Sequence, residues 1–410
     1  TRSAHGSSFC LTKKCSVAFV YWVLSKMATL LRSMHVQTMI SDVMSKWLSV
    51  DDVTDLAQVK NDPPCADLVL QNNSCNHEQS VGPQVLEHIH SSNNEPHSVA
   101  GGDIRVWTSQ HIGNRPNQED RFVVAPKLME QSNPSPCSMF GVFDGTVGDF
   151  ASEVASTLFV PTLLQSSSWD SLRDAQTSDF QTQKRLLEKT MHETYNAVDA
   201  AVLARCAEKS LDFATSTACT LMVTGDLLTI AHLGDSRLIV AVEDVPSKCQ
   251  SDSGTRLLAV QMTKDHKPNS ASEMRRIQHC GGKVVRLGKR SERIFIRGAD
   301  FEARADAGEK PYQLSYSRAF GARGLKHYGV SSVPDITVVD RSSRRVRWAI
   351  IASDGLWNVV SAQEAVDISQ EARQIGHDPS EALVQRALRK CKDSGARADN
   401  VTAVCVQFND

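Results

Sequence analysis

Acidic residues stand at the ends of several apolar, strand-like stretches of this sequence. The four positions are Glu119–Asp120 in RPNQEDRFVV, Asp144 in VFDG, Asp354 in IIASDG and Asp399 in the ADN that precedes VTAVCV. Carboxylates that meet at one sheet edge repel one another strongly at low dielectric constant, and a divalent cation is the usual way in which such a cluster stays ionised. Oxygen ligands alone favour a hard ion, Mg²⁺ or Mn²⁺. The spacing leaves two interpretations open: ligands that meet in the fold, or turn residues that lie apart.

The stretches that would position these carboxylates indicate an α+β domain. LMVTGDLLTIAHLGDSRLIVAV, residues 221–242, is typical of a meander with turns at Gly225–Asp226 and Gly234–Asp235–Ser236. The other elements are apolar strands at residues 347–355 and 399–408 and helical patterns at residues 148–164, 181–208, 270–280, 361–374 and 379–392. Antiparallel strands with paired helices, and no regular β–α–β alternation, predict one layered domain over residues 103–410.

The first 102 residues are predicted as an N-terminal extension. Apolar residues recur at three-to-four spacing in residues 27–48, which indicates an amphipathic helix docked on the protein's own core or on a membrane or partner. Because its polar face lacks a basic stripe, the first alternative is favoured. Residues 51–102 are rich in Asn, Ser, Pro and His and are predicted as a polar linker. Residues 13–26 lack a good cleavage site and are not expected to act as a secretory signal.

The composition narrows the class of protein and of partner. Of 410 residues, 41% are hydrophobic and 22% are charged, as is typical of a soluble globular protein. A formal net charge of -2 would not attract a polyanion, so we expect no nucleic-acid partner. The eleven cysteines include no C-x-x-C pair, which favours a reducing compartment, the cytoplasm or nucleus. We expect a monomer without stable membrane insertion, with Cys137 and Cys219 in the core.

Eight short motifs resemble, in order and approximate spacing, the metal-dependent protein phosphatases, the type 2C or PPM serine/threonine phosphatase family. They are RPNQED, VFDG, ATSTA (214–218), GDSR (234–237), DHKP (265–268), SRAFG (317–321), SDGLW (353–357) and DN (399–400). Each motif is weak alone, but eight in order over residues 103–408 form a specific signal. The resemblance implies a phosphatase of phosphoserine and phosphothreonine in phosphoprotein substrates. It also implies a four-layer sandwich of two antiparallel β-sheets flanked by pairs of α-helices.

The resemblance further implies a ligand set for two divalent metal ions, Mg²⁺ or Mn²⁺. Asp144 would bridge both ions. Asp354 and Asp399 would hold one ion, and Glu119 with the Gly145 carbonyl would hold the other. Such ions lower the pKa of a water molecule between them and neutralise the phosphoryl oxygens, which explains why a phosphate dianion can be attacked.

Three more residues take roles from the same resemblance. Arg115 matches the arginine that binds the substrate phosphate through its planar fork of donors. Asp120 would act in catalysis by orienting water at the metal site. Asp235 in GDSR resembles the ligand of a weaker third metal ion, which it would share with Asp354.

Three departures of the sequence from the family pattern bear on the chemistry. The family usually carries at position 146 a histidine proposed to protonate the leaving alkoxide, and Thr146 cannot do this at neutral pH. Thr215 replaces a glycine of SGSTA, and Ala322 stands where SRALGD ends on aspartate. Thr146 and Ala322 favour an alternative function, a pseudophosphatase that acts as a phosphoprotein-binding or scaffold protein. The complete ligand set and Arg115 favour the enzyme.

A segment near residues 283–330 resembles the family's variable flap beside the active site. Between Lys283 and Lys310 its basic residues include Arg286, Lys289, Arg290, Arg293, Arg297 and Arg304. Two interpretations stay open: a solvated basic loop, or a docking surface for acidic phosphoprotein segments.

Overall fold

The computed structural model describes residues 97–101, 104–128, 137–174, 179–244, 256–287 and 294–409. The helix predicted at residues 27–48, and the predicted linker up to residue 96, therefore lie outside the described residues. Within the described ranges, no helix is both long and apolar enough to cross a lipid bilayer.

Strands and helices alternate irregularly along the described chain. The strands are β1 (His97–Gly101), β2 (Ile104–His111), β3 (Arg121–Ala125), β4 (Cys137–Phe143), β5 (Gly145–Thr146), β6 (Thr215–Ser216), β7 (Ala218–Thr224), β8 (Leu227–Leu233), β9 (Arg237–Glu243), β10 (Leu257–Gln261), β11 (Lys283–Arg286), β12 (Ile294–Arg297), β13 (Phe320–Gly321), β14 (Asp335–Asp340), β15 (Val346–Ala352) and β16 (Val401–Phe408). The helices are α1 (Phe150–Leu164), α2 (Trp169–Asp174), α3 (Phe180–Glu208), α4 (Ala271–His279), α5 (Phe301–Asp306), α6 (Arg323–Lys326), α7 (Asp354–Trp357), α8 (Ala362–Gln374) and α9 (Pro379–Ser394).

Two large antiparallel sheets form the centre of the described part of the chain. The first has the strand order β1-β2-β16-β15-β9-β10, and the second has the order β14-β8-β7-β4-β3. Their inner faces share one buried cluster, to which Val106 and Val404 contribute from the first sheet and Phe122 and Phe140 from the second. β1 falls within residues 1–102, which were predicted as an N-terminal extension. The first sheet therefore begins before residue 103.

Helices cover the outer face of each sheet. Phe159 of α1 and Tyr195 of α3 pack with Phe143 of the second sheet in one cluster, while Val366 of α8 and Leu383 of α9 pack against the first sheet. The predicted four-layer α+β sandwich is therefore confirmed. Because both faces of the second sheet are covered, its strands β7 and β8 are buried at every residue and are mainly apolar, without an alternation of apolar and polar residues.

Local signals explain where the long helices begin and end. The Asp179 carboxylate accepts hydrogen bonds from the backbone N–H groups of Gln181 and Thr182 at the start of α3. The α9 helix begins after a capping Asp378 and ends at Gly395, whose φ of +69° favours glycine. The five helical patterns in the sequence predicted these bounds to within two residues.

The meander predicted at residues 221–242 is wrong in its second half. β7 and β8 pair across the Gly225–Asp226 turn as predicted. At Gly234–Asp235–Ser236, however, the chain crosses from the second sheet to the first, where β9 pairs with β15. A tight turn and a crossing between sheets carry the same local sequence signal. The crossing places Asp235 between the two sheets, where it is buried.

Two smaller sheets complete the described fold. The first is a three-stranded sheet with the order β13-β6-β5, in which β5 follows β4 directly in the chain. A hairpin of β11 and β12 lies within the predicted flap. The side chain of Ile296 in β12 packs with Ile277 of α4 and Leu325 of α6. Residues 288–293, between the two strands in sequence, lie outside the described residues.

Candidate metal centre

The acidic residues predicted as ligands lie at one end of the sandwich. β3 and β4 are paired neighbours, so Asp120 before β3 and Asp144 after β4 stand side by side. β15 and β16 are also paired, so Asp354 after β15 and Asp399 before β16 share one sheet edge. The fold thus answers the question that spacing left open, because these carboxylates meet although they are far apart in sequence.

Asp120 joins the two sheets at this end. Its Oδ2 atom accepts hydrogen bonds of 2.7 Å each from the Ser353 and Thr402 hydroxyl groups, which flank the ends of β15 and β16. Asp120 is only 1% exposed, and burial raises the pKa of its carboxyl group to about 6 although both hydroxyl groups lower it. The side chain therefore fixes the relative position of the strands that carry the other carboxylates.

Glu119 is held in place by backbone contacts. Its N–H donates to Asn400 Oδ1 at 2.8 Å, and its Oε1 accepts from Gly148 N–H at 3.2 Å. Gly145 lies against the Glu119 carbonyl oxygen, where an added Cβ would approach to 2.5 Å. Only glycine therefore allows this close approach of the two chain segments.

Asn400, the second residue of the DN motif, is a site residue to which sequence reasoning gave no role. Its Nδ2 donates to the carbonyl oxygens of Ile112 and Asn117 at 2.9 and 3.0 Å. Its own backbone carbonyl lies where a Cβ on Gly355 would approach to 1.9 Å. Asn400 thus links the loop that carries Arg115 and Glu119 to the start of α7.

The pKa values of the carboxylates show that they share one electrostatic environment. Burial, followed by repulsion from Asp120, Asp354, Asp235 and Asp399, raises the pKa of Asp144 well above its usual value. Burial and then the charges of Asp235 and Asp399 raise the pKa of Asp354 to about 7. A set of clustered carboxylates with too little compensating charge fits hard divalent ions, which would hold all of them ionised.

Two cations of the chain itself contact this cluster. Arg115 donates to Asp399 Oδ2 at 2.6 Å, with 53% of the arginine side chain exposed. Lys267 of the DHKP motif, to which the sequence analysis assigned no role, forms an ion pair with Asp235. Arg115 therefore stands at the open rim of the site, whereas Lys267, with 41% of its side chain exposed, pairs with the buried Asp235.

Comparison with known proteins agrees with this arrangement. The family model for protein phosphatase 2C matches residues 105–401. This chain belongs to the protein phosphatase 2C family. The chain is 31% identical to probable protein phosphatase 2C 56 of Oryza sativa subsp. japonica over 73% of this chain and 70% of that protein. Among solved structures, the fold is similar to the crystal structure of serine-threonine phosphatase 2C from Toxoplasma gondii, with a TM-score of 0.71. The two sequences are 37% identical, and the match covers 79% of this chain and 100% of that chain.

Other curated relatives are matched over a smaller part of their length. Probable protein phosphatase 2C 48 of Oryza sativa subsp. japonica is 36% identical over 55% of this chain and 63% of the relative. Probable protein phosphatase 2C 18 of Arabidopsis thaliana is 36% identical over 48% of this chain and 36% of the relative. This phosphatase 2C chain therefore spans less than two thirds of some of the proteins that it matches.

A second group of ionisable side chains in this phosphatase 2C fold lies apart from the predicted ligands. His232, His266 and Asp335 place their donor atoms within 4.8 Å of one another. His266 Nδ1 accepts from Gly234 N–H at 3.1 Å, so its Nε2 carries the hydrogen and faces Asp335 Oδ2 at 3.3 Å. His232 Nε2 in turn lies 2.9 Å from the Lys264 carbonyl and donates to it. These contacts leave the Nδ1 atom of His232 and the Asp335 carboxylate as the remaining donors to an ion, which favours a hydrogen-bonded support over a metal site.

The cysteines near the motifs have no thiolate character. Cys137 and Cys219 are buried free thiols, as predicted for core residues. Burial raises the pKa of Cys137 to about 12 and that of Cys219 still higher, which excludes either as a nucleophile at neutral pH. Cys280, in contrast, is disulfide-bonded, so the cysteines do not all follow the prediction of a reducing compartment.

Proposed function

We propose that this protein is a metal-dependent serine/threonine phosphatase that hydrolyses phosphoserine and phosphothreonine in phosphoproteins. The observation that carries the proposal is the meeting of Asp144, Asp354 and Asp399 at one end of the sandwich, with Arg115 at the rim. Membership of the protein phosphatase 2C family supports it.

The ligand set that we propose contains oxygen donors only, as Mg²⁺ and Mn²⁺ require. Asp144 would lie between two ions, with Asp354 and Asp399 at one and Glu119 and the Gly145 carbonyl at the other. Two such ions lower the pKa of a water molecule between them and neutralise phosphoryl oxygens. Asp235 is a weaker candidate for a third ion, because Lys267 already compensates its charge.

The chain's own residues would bind and orient the substrate. The Arg115 guanidinium presents a planar fork of N–H donors, which matches two oxygens of a phosphate group. Its present partner, Asp399, leaves half of the side chain in solvent, so an incoming phosphate can reach the remaining donors. Asp120 is buried behind the ligands and holds β15 and β16 through Ser353 and Thr402.

A pseudophosphatase is the second candidate function, and Thr146 is the observation that favours it. A threonine hydroxyl is not acidic enough to protonate a leaving alkoxide, and the loss of a general acid typically costs about 10²- to 10⁴-fold in rate. The ligand residues and Arg115 are nevertheless all present, which favours a slow enzyme over a protein that only binds.

Hydrolysis of a phosphothreonine peptide with excess Mn²⁺ or with EDTA tests the proposed function. We expect phosphate release with Mn²⁺, none with EDTA, and a loss of more than roughly 10²-fold in Asp354→Asn. A wild-type protein that binds the phosphopeptide without releasing phosphate would contradict the enzyme and support the pseudophosphatase.

We further propose a monomer in a reducing compartment, the cytoplasm or nucleus. The buried free thiols of Cys137, Cys206, Cys219, Cys391 and Cys405 support this compartment, and the disulfide at Cys280 is the observation against it.

A further inference from the structure

Thr146, Thr215 and Ala322, three of the departures from the family pattern, lie in or directly beside one small element, the three-stranded sheet of β13, β6 and β5. Thr146 of β5 pairs directly with Thr215 of β6. On the other side of β6, Thr215 pairs with Gly321 of β13, and Ala322 follows with its N–H bound to the Ala214 carbonyl at 2.9 Å. Substitutions that look unrelated in sequence therefore occupy one continuous patch that begins immediately after Asp144.

Tyr316 contacts this patch from the protein interior. Its side chain is only 4% exposed, and its hydroxyl group donates to Thr146 Oγ1 at 2.9 Å. The Thr215 hydroxyl is a further neighbour of the Tyr316 oxygen, and it donates to the Phe320 carbonyl at 2.9 Å. Because the single Thr215 hydrogen is used on the Phe320 carbonyl, Thr215 does not donate to Tyr316, and the hydrogen bond that the tyrosine donates goes to Thr146.

The contact determines what Thr146 can do. An oxygen that accepts from Tyr316 on its buried side must direct its own hydrogen elsewhere. Thr146 is partly exposed and follows Asp144 and Gly145 directly in the chain, which places it next to the proposed metal ligands. Burial, and then the nearby charge of Asp144, raises the pKa of Tyr316 well above its usual value, so its hydroxyl remains a donor at neutral pH.

We propose that Tyr316 is a positioning residue that directs the Thr146 hydroxyl group at the leaving oxygen of the substrate. The inference rests on the proposed phosphatase function. As the oxygen of water forms its bond to phosphorus, the bond from phosphorus to the seryl or threonyl oxygen breaks and leaves its electron pair on that oxygen. Thr146 stabilises this charge by a hydrogen bond. The attacking water releases one proton to solvent, and the leaving oxygen takes one proton from solvent.

Leaving-group dependence distinguishes this role from a structural one. An alkyl leaving oxygen carries far more charge than p-nitrophenolate, so it depends more on a hydrogen-bond donor. We expect Tyr316→Phe to lower kcat on a phosphothreonine peptide about tenfold, with KM unchanged, and to lower kcat on p-nitrophenyl phosphate less than about twofold. Thr146→Val should cost roughly 10²-fold on the peptide, whereas Thr146→Ser should retain most of the activity.

A double variant tests whether the two residues act as one unit. If Tyr316 works through Thr146, then Tyr316→Phe adds no further loss in a Thr146→Val background. The matched control is Tyr195→Phe, since the Tyr195 hydroxyl is equally buried and bonds to Thr220 at 2.9 Å and to the Ala231 carbonyl at 2.8 Å. This control should lower the melting temperature and leave the ratio of the two substrate rates unchanged.

The outcomes separate this inference from the proposed function. Equal losses on both substrates in Tyr316→Phe, or full additivity with Thr146→Val, would overturn the positioning role while the phosphatase stands. A wild-type protein that hydrolyses neither substrate with Mn²⁺ would overturn both. A melting temperature of Tyr316→Phe close to that of Tyr195→Phe shows that the kinetic effect does not come from unfolding.

Discussion

Buried carboxylates in two regions of this protein have opposite pKa shifts. In the metal centre, burial and mutual repulsion raise the pKa values of Asp120, Asp144 and Asp354. In the second cluster, which we call the Glu273 cluster, burial alone would raise the pKa of Glu273, but hydrogen bonds from Arg276 and Arg318 hold it well below its usual value.

In the Glu273 cluster the protein's own arginines balance the carboxylate charge, so no metal ion is needed. Glu273 accepts from Arg276 at 3.0 and 2.6 Å and from Arg318 at 2.8 Å. Arg318 continues to Asp335 at 2.8 Å, and the hydrogen bond from His266 lowers the pKa of Asp335. The comparison teaches that burial of a carboxylate does not by itself indicate a metal ligand. What distinguishes the metal centre is the shortage of compensating cations.

The largest expected effect is a loss of stability when the ion pairs of the Glu273 cluster are broken. Glu273→Gln leaves Arg276 and Arg318 partly buried without their shared anion, and removal of one partner from a buried ion pair costs about 3–5 kcal/mol. Urea denaturation measures the change in the free energy of unfolding.

Glu302→Gln is the matched control, because Glu302 pairs with Lys283 at 2.8 Å on the surface, with half of the glutamate side chain exposed. It should leave the denaturation midpoint nearly unchanged. A Glu273→Gln variant as stable as this control would show that the second cluster is not a structural support.

A smaller effect concerns pH in the metal-free protein. The folded-state pKa of Asp354, about 7, lies above its unfolded value, so ionisation of Asp354 destabilises the fold as pH rises from about 4 to about 7. Asp354→Asn removes this loss. Between about pH 4 and pH 7 the free energy of unfolding of the variant should rise by roughly 1–2 kcal/mol relative to wild type. The gain is no larger because the coupled carboxylates share protons. His232, whose pKa burial lowers to about 4, titrates in both proteins and cancels.

Urea denaturation in EDTA at several pH values checks this expectation. A stability difference between Asp354→Asn and wild type that stays constant between pH 4 and pH 8 would refute the repulsion. Asp335→Asn serves as the opposite case, because loss of a carboxylate with a lowered pKa should destabilise the protein most at neutral pH.

The sequence points to the carboxylates of the candidate metal centre because each proposed ligand stands in a motif at a strand end. It predicted Glu119, Asp144, Asp354 and Asp399 and the helices of both outer layers. It could not predict the crossing at Asp235, since a turn within a sheet and a crossing between sheets look alike over three residues. It also gave no signal for Glu273, an acidic residue on a polar helix, or for Tyr316, whose role depends on a contact with Thr146 across 170 positions.

Calorimetric titration with Mn²⁺ tests the central claim most directly, because it asks which cluster holds metal ions. The protein to compare with wild type is Asp144→Asn in the metal centre, with Asp335→Asn in the His232 and His266 group as the matched change. We expect wild type and Asp335→Asn to bind Mn²⁺ alike, and we expect Asp144→Asn to lose binding while it remains folded. Unchanged binding in Asp144→Asn, or loss of binding in a folded Asp335→Asn, would contradict it.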